Sequence, residues 1–427
     1  MTYAEAIQFL YSLRLFGAKF GLENTVKLAD LAGNPQSHLR FIHVTGTNGK
    51  GSTCAMLESI YRASGLRVGM FTSPHLVSFR ERIQVNRQFI SQADVVRQVA
   101  ELKPLLDEFP ENHHPTFFEA VTIMALLHFA EQECELVIWE TGLGGRLDAT
   151  NIVTPLASVI TNIGIEHSEW LGDTVEKIAA EKAGIIKPGV HVVTSASPGH
   201  GLEVIQAVAR EKHAPFALVD TAQTGGPPLD SIELPLHGPH QRLNAALALT
   251  SVRALAKQLP VTDAQLRTGL ETVNWPGRMH SVQTISGQTI LLDGAHNADG
   301  AEALRIALQE EFPDSKPVMI FGVFRDKDST RMCHSLAPLA GRILLTPVQS
   351  ERSEDPAKLV AACRESNPRA AIEVCGSLAE ALQKISAVPF VVIAGSLYLV
   401  GEAMELLHLA GVSESNEKEL NEWLPRR

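Results

Sequence analysis

The stretch from residue 41 to residue 63 constrains the fold of this chain more than any other. An apolar run at 41–45 leads into the segment Gly-Thr-Asn-Gly-Lys-Gly-Ser-Thr at 46–53, and apolar residues at helical spacing follow. A strand, a glycine-rich turn and a helix in this order direct backbone N–H groups and a helix N-terminus towards a phosphate. The stretch therefore predicts a phosphate-binding loop between a buried strand and a helix.

Four residues of this loop suit contact with a phosphate. Gly49 and Gly51 allow the backbone to approach an anion closely, because glycine has no side chain to obstruct it. Lys50 supplies a positive charge, and the Ser52 hydroxyl can reach a phosphate-bound magnesium ion. The spacing departs from the standard G-x-x-x-x-G-K-S/T pattern, since a glycine separates Lys50 from Ser52 and the loop is shorter. The alternative is an ordinary glycine-rich turn with a solvated lysine, but the joint occurrence of strand, loop and helix favours a phosphate site.

Short apolar runs alternate with helical patterns along the chain, which predicts an α/β fold whose parallel sheet is covered by helices on both faces. The predicted strands of the first part are 67–72, 136–139, 157–161 and 190–194. The predicted helices there are 3–15, 22–32, 91–102, 116–131, 173–183, 244–257 and 262–270, with Asp173 capping its helix. The segment 17–21 is predicted to be a break, 82–89 an extended arm and 104–115 a proline-bounded surface loop.

Residues 274–278 interrupt this pattern and mark the predicted domain boundary. Beyond them the alternation restarts, with predicted strands at 289–293, 317–323, 342–346, 371–375 and 390–394. The sequence therefore predicts a large parallel-sheet domain with the phosphate-binding loop at 1–276 and a smaller α/β domain at 277–427. The last dozen residues are expected to be loosely held.

Charge and composition limit the partners and the compartment of the protein. A formal charge of −11 argues against a general affinity for nucleic acid. No run approaches the roughly 18 apolar residues of a membrane span, and the first residues lack the basic start and apolar core of a signal peptide. The five cysteines lie far apart without a CxxC pair, which fits a reducing cytoplasm. We therefore expect a cytoplasmic protein that binds neither nucleic acid nor membranes.

Polar residues follow several predicted strands, and the carboxyl ends of parallel strands meet at one edge of a sheet. These residues are Lys50 with Ser52, Ser73 with His75, Glu140, and His167. A carboxylate near a bound triphosphate is a natural magnesium ligand, which suits Glu140 at the end of its strand. The alternatives are a solvated glutamate and a structural histidine. The convergence of four segments favours a single active site.

Two further residues have competing assignments. Lys182 lies close to the predicted end of a helix, where a lysine normally interacts with the helix dipole, so its spacing alone indicates a structural role. Asp293 is a strand-end acid that is followed by a glycine turn and a helix. It suits hydrogen bonds to ribose hydroxyls or to a substrate amine, while the alternative is simple capping of the next helix by Asn297.

Several motifs together resemble those of the folylpolyglutamate synthase family, which belongs to the Mur ligase superfamily of ATP-dependent amide-forming enzymes. The matching segments follow the family's order over essentially the whole chain, at 45–52, 72–76, 140–151, 181–188, 293–297 and 395–398. The extra glycine after Lys50 is part of the family's own version of the loop. The resemblance implies a large, P-loop-type parallel-sheet ATPase domain of the Mur ligases, which binds ATP, at 1–276. It also implies a smaller, Rossmann-like α/β glutamate-ligase domain at 277–427.

The resemblance also implies a reaction and a set of site residues. Members of the family phosphorylate a substrate carboxylate with ATP, and the amino group of glutamate then attacks the acyl phosphate. By similarity, the residues that contact ATP are Gly49, Lys50, Gly51, Ser52, Asn244, Arg278 and Asp293. Those that serve magnesium are Ser73, Glu140 and His167. Lys182 matches a lysine that becomes carbamylated and binds a second magnesium ion, which reverses the structural assignment and adds it to the catalytic groups Lys50, Glu140 and His167.

Members of this family differ in substrate. Some only lengthen the glutamate tail of reduced folates, and bifunctional bacterial members also join glutamate to dihydropteroate. Residues that resemble the pterin contacts of bifunctional members are Leu147, Asp148, Ala149 and the predicted pterin wall Thr116, Phe117 and Phe118. An aromatic face for stacking and a carboxylate for the pterin N–H donors suit this chemistry, while the alternative for Phe117 and Phe118 is plain helix packing. We therefore expect both activities, with ATP, L-glutamate and dihydropteroate or reduced folates as substrates. We also expect a monomer.

Three other functions stay open at this point. The first is folylpolyglutamate synthase activity alone. The second is a peptidoglycan-type ligase, which would be expected to carry a domain for a uridine nucleotide before the phosphate loop, where only about 40 residues precede it. The third is a regulatory module that binds ATP without forming amides. The presence of Lys182, Glu140 and His167 together disfavours it, because a switch needs no second metal ion.

Overall fold

The structure of the 427-residue chain is a computed structural model that describes residues 1–16, 21–284, 287–385, 388–410 and 417–421. The described chain forms two compact α/β units. The first contains residues 1–234, 243–273 and 417–421, and the second contains residues 235–242 and 274–410. The chain passes between the units more often than one boundary at 276/277 requires, and that boundary stays a prediction. The predicted break at 17–21 lies almost entirely outside the described residues.

The first unit is built on one sheet. Its strands are β1 (Phe41–Thr45), β2 (Val68–Phe71), β3 (Ile83–Val85), β4 (Gln88–Phe89), β5 (Leu136–Glu140), β6 (Ala157–Ile160), β7 (His191–Thr194) and β8 (Phe216–Leu218). The spatial order is β4-β3-β2-β5-β1-β6-β7-β8, parallel from β2 to β8, with β3 and β4 added as an antiparallel edge. All residues of β1 are buried, as expected for a central parallel strand with packed layers above and below. The arrangement confirms the predicted α/β class.

The first unit also contains helices, and aromatic side chains of its strands pack together in the core. The helices are α1 (Tyr3–Ser12), α2 (Glu23–Leu31), α3 (Lys50–Ala63), α4 (Gln92–Leu106), α5 (Phe117–Glu131), α6 (Ser168–Leu171), α7 (Val175–Ala183), α8 (His200–Glu211), α9 (Pro239–Ala254) and α10 (Asp263–Glu271). The first four residues of α9 belong to the second unit. In the core, the Trp139 ring lies 4.7 Å from Phe71 and 5.6 Å from Phe41, between ring centroids. Its indole N–H donates to the Thr150 carbonyl at 2.9 Å. Because Trp139 directly precedes Glu140, this packing fixes the strand that delivers the carboxylate.

The end of α4 differs from the prediction. The helix continues to Leu106, although the sequence predicted an end at 102 and a surface loop from Pro104. A proline inside a helix removes one backbone hydrogen bond. Leu102 and Leu106 lie one turn apart and are both buried, so the packing of this face outweighs the lost bond.

Other boundaries also shift. The N-cap of α7 is Thr174 and not Asp173, because the Thr174 side chain accepts the hydrogen bond from the Lys177 N–H. Asp173 instead pairs with the Lys177 ammonium at 2.8 Å. The helix predicted at 244–257 is α9, which begins earlier, at Pro239. The predicted extended arm is the β3–β4 hairpin.

The second unit has its own sheet. Its strands are β9 (His280–Gln283), β10 (Thr289–Asp293), β11 (Val318–Phe321), β12 (Arg342–Leu345), β13 (Ala371–Val374) and β14 (Phe390–Ala394), in the order β13-β12-β11-β14-β10-β9. All neighbours are parallel except β9, which is antiparallel to β10 and which the sequence analysis missed. The helices are α11 (Ala298–Glu311), α12 (Ser329–Leu336), α13 (Pro356–Ser366), α14 (Leu378–Gln383) and α15 (Leu397–Leu406). The five predicted strands of this part are confirmed to within two residues at each end.

The C-terminal segment contradicts one expectation. Residues Glu417–Asn421 form a short 3-10 helix in the first unit, and Leu420 is 2% exposed. The prediction of a loosely held end was therefore wrong for these five residues, and residues 422–427 lie outside the described chain.

Among the described helices, none is long and apolar enough to cross a membrane.

Candidate active site

The loop between β1 and α3 requires glycine at two positions. Gly46 has φ 151°, and a Cβ there would lie 1.7 Å from the Thr161 hydroxyl oxygen. Gly49 has φ 87°, and its Cβ would lie 2.6 Å from the Asn244 side-chain oxygen. The positive φ and the close contacts together make a residue with a side chain energetically unfavourable at both positions. Because α3 begins at Lys50, directly after Gly49, the N–H groups of its first turn open at this loop.

The segment after β6 fixes this loop. Asn48 donates its N–H to the Asn162 side-chain oxygen at 2.7 Å, and its carbonyl accepts from the Thr161 hydroxyl at 2.6 Å. The Thr47 hydroxyl donates to the Gly164 carbonyl at 3.1 Å and accepts from the Gly164 N–H at 3.0 Å. The phosphate loop and the approach to His167 are therefore one hydrogen-bonded structure. Thr47 and Asn162 are not among the predicted site residues, because their roles depend on this pairing.

A small cavity lies over the loop and joins residues from four chain segments. Its lining residues are Gly46, Thr47, Lys50, Thr141, Gly142, Leu143, Gly144, Glu166, His167, Leu171 and Lys182. Three predicted catalytic residues, Lys50, His167 and Lys182, are thus brought together. The Lys50 ammonium lies across the loop and donates to the carbonyls of Gly46 at 3.1 Å and Thr47 at 3.0 Å. Glu166 also faces this cavity, and its position next to His167 was the only sequence signal for it.

His167 has an unusual backbone. It lies at φ 54°, in the left-handed region that non-glycine residues rarely adopt, directly before α6. Such conformations are concentrated at functional sites, where the surrounding structure holds them. The segment between β6 and α6 therefore presents both Glu166 and His167 to the cavity.

Lys182 is buried at the end of α7. It is 4% exposed, and its ammonium donates to the Gly46 carbonyl at 2.7 Å. Burial, and to a smaller extent the Lys50 charge, lowers the pKa of Lys182 to about 7, although Glu166 and Asp148 oppose the shift. A substantial fraction of this amine is therefore neutral near pH 7. The neutral amine is the nucleophilic form of a lysine, and spacing alone did not predict this environment.

Glu140 and Ser73 meet beside this cavity. Glu140 is 3% exposed, and one of its carboxylate oxygens accepts from the Ser73 N–H at 2.9 Å. Ser52 on α3 is 2% exposed. Within the described ranges, no three His, Cys, Asp or Glu side chains lie close enough to hold a metal ion by themselves. The hydroxyl and carboxylate oxygens present fit magnesium, which keeps several waters and takes ligands from phosphate instead of needing an all-protein cage.

The predicted nucleotide contacts fall into both units. Asn244, on α9 in the first unit, lies against Gly49 of the phosphate loop. In the second unit, Arg278 lies against Gly294. Asp293 is 6% exposed, and its two carboxylate oxygens accept from the backbone N–H groups of Met279 and Ala295, each at 2.8 Å. Arg278 and Asp293 are thus close to each other, and their contact with ATP stays a prediction.

The residues predicted as a pterin wall have separate environments. Thr116 caps α5, accepting from the Glu119 N–H at 3.3 Å, and Phe117 is 8% exposed in the hydrophobic core. Phe118 is half-buried, with its ring against Gly142 of the cavity and 5.9 Å from the Phe71 ring. The packing alternative therefore describes Phe117, whereas Phe118 borders the cavity.

Asp148 fixes the turn after β5. It is 7% exposed, and its carboxylate accepts from the Leu143 N–H at 2.7 Å and from the N–H and hydroxyl of Thr150. Burial raises the pKa of this carboxyl, and these hydrogen bonds oppose the shift. Leu147 is half-buried and Ala149 is buried in the same turn. Their contact with a pterin stays a prediction.

Comparison with known proteins identifies the family. Two family models match the chain, the Mur ligase middle domain at residues 44–252 and the Mur ligase glutamate ligase domain at residues 277–397. The chain is 35% identical to the dihydrofolate synthase/folylpolyglutamate synthase of Bacillus subtilis over 428 residues, covering 95% of this chain and 99% of the relative. Folylpolyglutamate synthase from Thermotoga maritima superposes with a TM-score of 0.83 at 33% identity, over 98% of this chain and 99% of that one. E. coli FolC in complex with DHPP and ADP gives a TM-score of 0.85 at 29% identity, over 96% and 98% of the two chains.

The sequence motifs, the glycine-dependent loop with its buried lysine, and these matches along the whole chain agree. The chain belongs to the folylpolyglutamate synthase family of Mur ligases and is an ATP-dependent ligase that forms amide bonds.

Proposed function

We propose that this ligase joins L-glutamate to the carboxylate of dihydropteroate and to the γ-carboxylate of folylpolyglutamates, through an acyl phosphate. The observation that carries the proposal is the cavity over the β1–α3 loop, where Lys50, His167 and the buried Lys182 converge. The B. subtilis relative carries both activities in its name, and the E. coli relative binds ADP together with DHPP.

The reaction follows from the weak reactivity of a carboxylate towards amines. A substrate carboxylate oxygen attacks the γ-phosphorus of ATP, the bond to the β-phosphate oxygen breaks, and ADP leaves. The amino group of glutamate then attacks the acyl carbon, inorganic phosphate leaves, and the nitrogen loses a proton. The N–H groups of the α3 N-terminus and the Lys50 ammonium stabilise charge on the transferring phosphoryl group. The backbone N–H groups are held by the fixed loop geometry and need no rearrangement during the reaction.

Magnesium would be held by Glu140, Ser73 and His167 together with phosphate oxygens. When bound, it supplies positive charge that offsets the charge on the phosphoryl oxygens. The chain prepares this site by holding the Glu140 carboxylate through the Ser73 N–H.

We propose further that Lys182 reacts with carbon dioxide. The neutral amine attacks the carbon, an N–C bond forms, an electron pair moves to oxygen and a proton is released. The product is a carbamate, which replaces a cation with an anionic oxygen ligand for a second magnesium ion. The lowered pKa of Lys182, about 7, supports this step, because the neutral amine is available at physiological pH.

The pterin contacts belong to the same proposal. Phe118 places the edge of its aromatic ring next to Gly142, and Leu147 is half-buried in the turn that Asp148 fixes. A second candidate function is folylpolyglutamate synthase activity alone. The observation that favours it is the set of backbone hydrogen bonds already accepted by the Asp148 carboxylate, which leaves this group fewer lone pairs for a pterin.

One assay separates these functions. The purified protein receives magnesium-ATP and L-glutamate with dihydropteroate, tetrahydrofolate or a uridine-nucleotide-linked peptide, and phosphate release and the product mass are measured. Turnover with the first two substrates supports the proposal. Turnover with tetrahydrofolate alone would leave only folylpolyglutamate synthase activity, and turnover with the peptide alone would support the peptidoglycan-type ligase.

We also propose that the enzyme acts as a monomer in the cytoplasm. All five cysteines are buried and none forms a disulfide, which suits a reducing compartment. Sedimentation at micromolar concentration should give the mass of one chain, and a dimer mass would refute the monomer.

A further inference from the structure

The C-terminal segment Glu417–Asn421 packs on the loop that follows β2. This loop, residues 73–82, begins at Ser73 and ends at the strand β3. Glu417 is 3% exposed and Asn421 is 6% exposed, so both polar side chains are buried in the first unit. Buried polar side chains at a contact of this kind fix geometry as well as add stability.

Glu417 binds the loop through its carboxylate. One oxygen accepts from the Phe79 N–H, from the Ser78 hydroxyl at 3.0 Å and from the Tyr3 hydroxyl at 3.1 Å. Two of these three donors belong to the loop, and hydrogen bonds to an ionised acceptor are stronger than neutral ones.

His75 and Asn421 close a second set of contacts. The His75 Nδ1 accepts from the Arg82 Nε at 2.9 Å, and its Nε2 donates to the Glu417 carbonyl at 2.8 Å. Arginine can only donate and a carbonyl can only accept, so His75 is neutral with its proton on Nε2. The Asn421 side chain accepts from the Arg82 guanidinium and donates to the His75 carbonyl at 2.9 Å.

The loop transmits this fixation to the site. Its base is closed by the Thr72 N–H, which donates to the Arg82 carbonyl at 3.1 Å. The Glu81 carboxylate accepts from three successive backbone N–H groups, those of Leu76, Val77 and Ser78. The loop is therefore internally rigid, so a shift at Ser78 and Phe79 also moves Ser73. At that start, the Ser73 N–H holds the Glu140 carboxylate at 2.9 Å.

We propose that Glu417 and Asn421 are positioning residues for the phosphate site. They fix the 73–82 loop, and through Ser73 they hold Glu140 in the orientation that magnesium requires. This inference rests on the proposed function, because it takes Glu140 and Ser73 as the magnesium-binding pair.

The test uses the full-length chain with Glu417→Ala and Asn421→Ala, and with the conservative variants Glu417→Gln and Asn421→Asp. Asn421→Asp keeps the acceptor for Arg82 but loses the donor to the His75 carbonyl. Ser91→Ala is the matched control, since it removes the side-chain cap of α4 in the same unit. For each protein, hydrogen exchange of the peptide covering 73–82 and the magnesium dependence of turnover are measured.

We expect faster exchange at 73–82 in both alanine variants and a magnesium concentration for half-maximal rate that rises roughly 10-fold, the scale of lost outer contacts at a metal site. Glu417→Gln and Asn421→Asp should recover part of both effects, and Ser91→Ala should change neither. Unchanged exchange at 73–82, or an unchanged magnesium dependence with only a Ser91→Ala-like loss of thermal stability, would overturn the proposal. A wild-type protein that turned over no folate substrate would instead defeat the proposed function, and the magnesium dependence of ATP binding in the same variants would then decide the positioning claim.

Discussion

The two units contain the same local pattern with opposite outcomes. In each, a buried strand leads through a glycine turn into a helix, β1 into α3 and β10 into α11. The residue before α3 is Gly49, which has no side chain to cap the helix. The residue before α11 is Asn297, whose side chain accepts from the Gly300 N–H at 2.7 Å. Asp293 likewise accepts from the Ala295 N–H in that turn.

The difference teaches what makes such a turn a phosphate site. A helix N-terminus offers its N–H groups to an anion when the chain's own side chains do not bond to them. At the β1–α3 loop the N-cap Gly49 provides no capping side chain and Lys50 adds a positive charge. In the β10–α11 turn, Asp293 and Asn297 accept from the N–H groups of Ala295 and Gly300. Four predictions follow from this account, and we order them by the size of the expected effect. Those at Lys50, Gly49 and Asn297 test the contrast between the two turns, and the one at Lys182 tests the cavity over the β1–α3 loop.

The largest effect is expected from Lys50→Ala. Loss of the ammonium over the phosphate loop should lower kcat/KM for ATP about 1000-fold, because a charged donor to the transferring phosphoryl group is lost. Steady-state ADP formation measures this. Lys177→Ala is the control, since its ammonium only pairs with the exposed Asp173. A loss below about threefold would make Lys50 the solvated lysine of the alternative interpretation.

Gly49→Ala should weaken ATP binding by about 100-fold, because the new Cβ would meet the Asn244 side chain at 2.6 Å and distort the loop. Gly65→Ala is a matched control, since Gly65 has a similar φ of 95° but open space around its Cβ position. Titration calorimetry gives both dissociation constants. Equal ATP affinity in the two variants would show that the loop tolerates a side chain.

The titration of Lys182 should make stability depend on pH. Its pKa falls from 10.5 in the unfolded chain to about 7 in the folded one, so the unfolded state binds more protons between these values. The destabilisation is complete below pH 7 and disappears as pH rises towards 10.5. In bicarbonate-free urea unfolding, the free-energy advantage of Lys182→Met over wild type should therefore shrink steadily from pH 7 to 10. A constant difference would mean that Lys182 has an ordinary pKa.

The smallest effect is expected from Asn297→Ala in the second unit. Loss of the cap should lower the free energy of unfolding by about 1 kcal/mol, and ATP affinity should stay unchanged. Asn297→Ser keeps a capping oxygen and should stay close to wild type in both measurements. A strong loss of ATP affinity in Asn297→Ala would remove the contrast between the two turns.

The elements that sequence reasoning located well are those with local causes. Strands such as β1 and β5 are short, apolar and followed by glycine turns, so their ends and the residues Lys50 and Glu140 could be read directly from the chain. The predicted end of α4 was too early because the signal from Pro104 is local, whereas the burial of Leu106 depends on tertiary packing. The burial of Lys182 could not be predicted from spacing for the same reason, because its ammonium bonds to the Gly46 carbonyl, 136 positions away in the chain.

The side-chain contacts of the C-terminal segment could not be predicted. Glu417 bonds to Ser78 across 339 positions, and no pattern near either residue announces the pairing. For Phe117, the family resemblance suggested a pterin contact, whereas in the structure its ring packs into the hydrophobic core. Motifs therefore located the glycine-dependent β1–α3 loop, while packing decides the accessibility of each predicted substrate contact.

The central claim is that Lys182 acts as an anionic carbamate beside the phosphate loop, and chemical rescue tests it most directly. Lys182→Ala should bind ATP nearly as well as wild type and lose almost all turnover. Added formate should restore a measurable rate, because a small carboxylate can take the place of the carbamate oxygens, and ethylamine should restore none. Wild-type turnover in the variant, or rescue by ethylamine and not by formate, would contradict the claim.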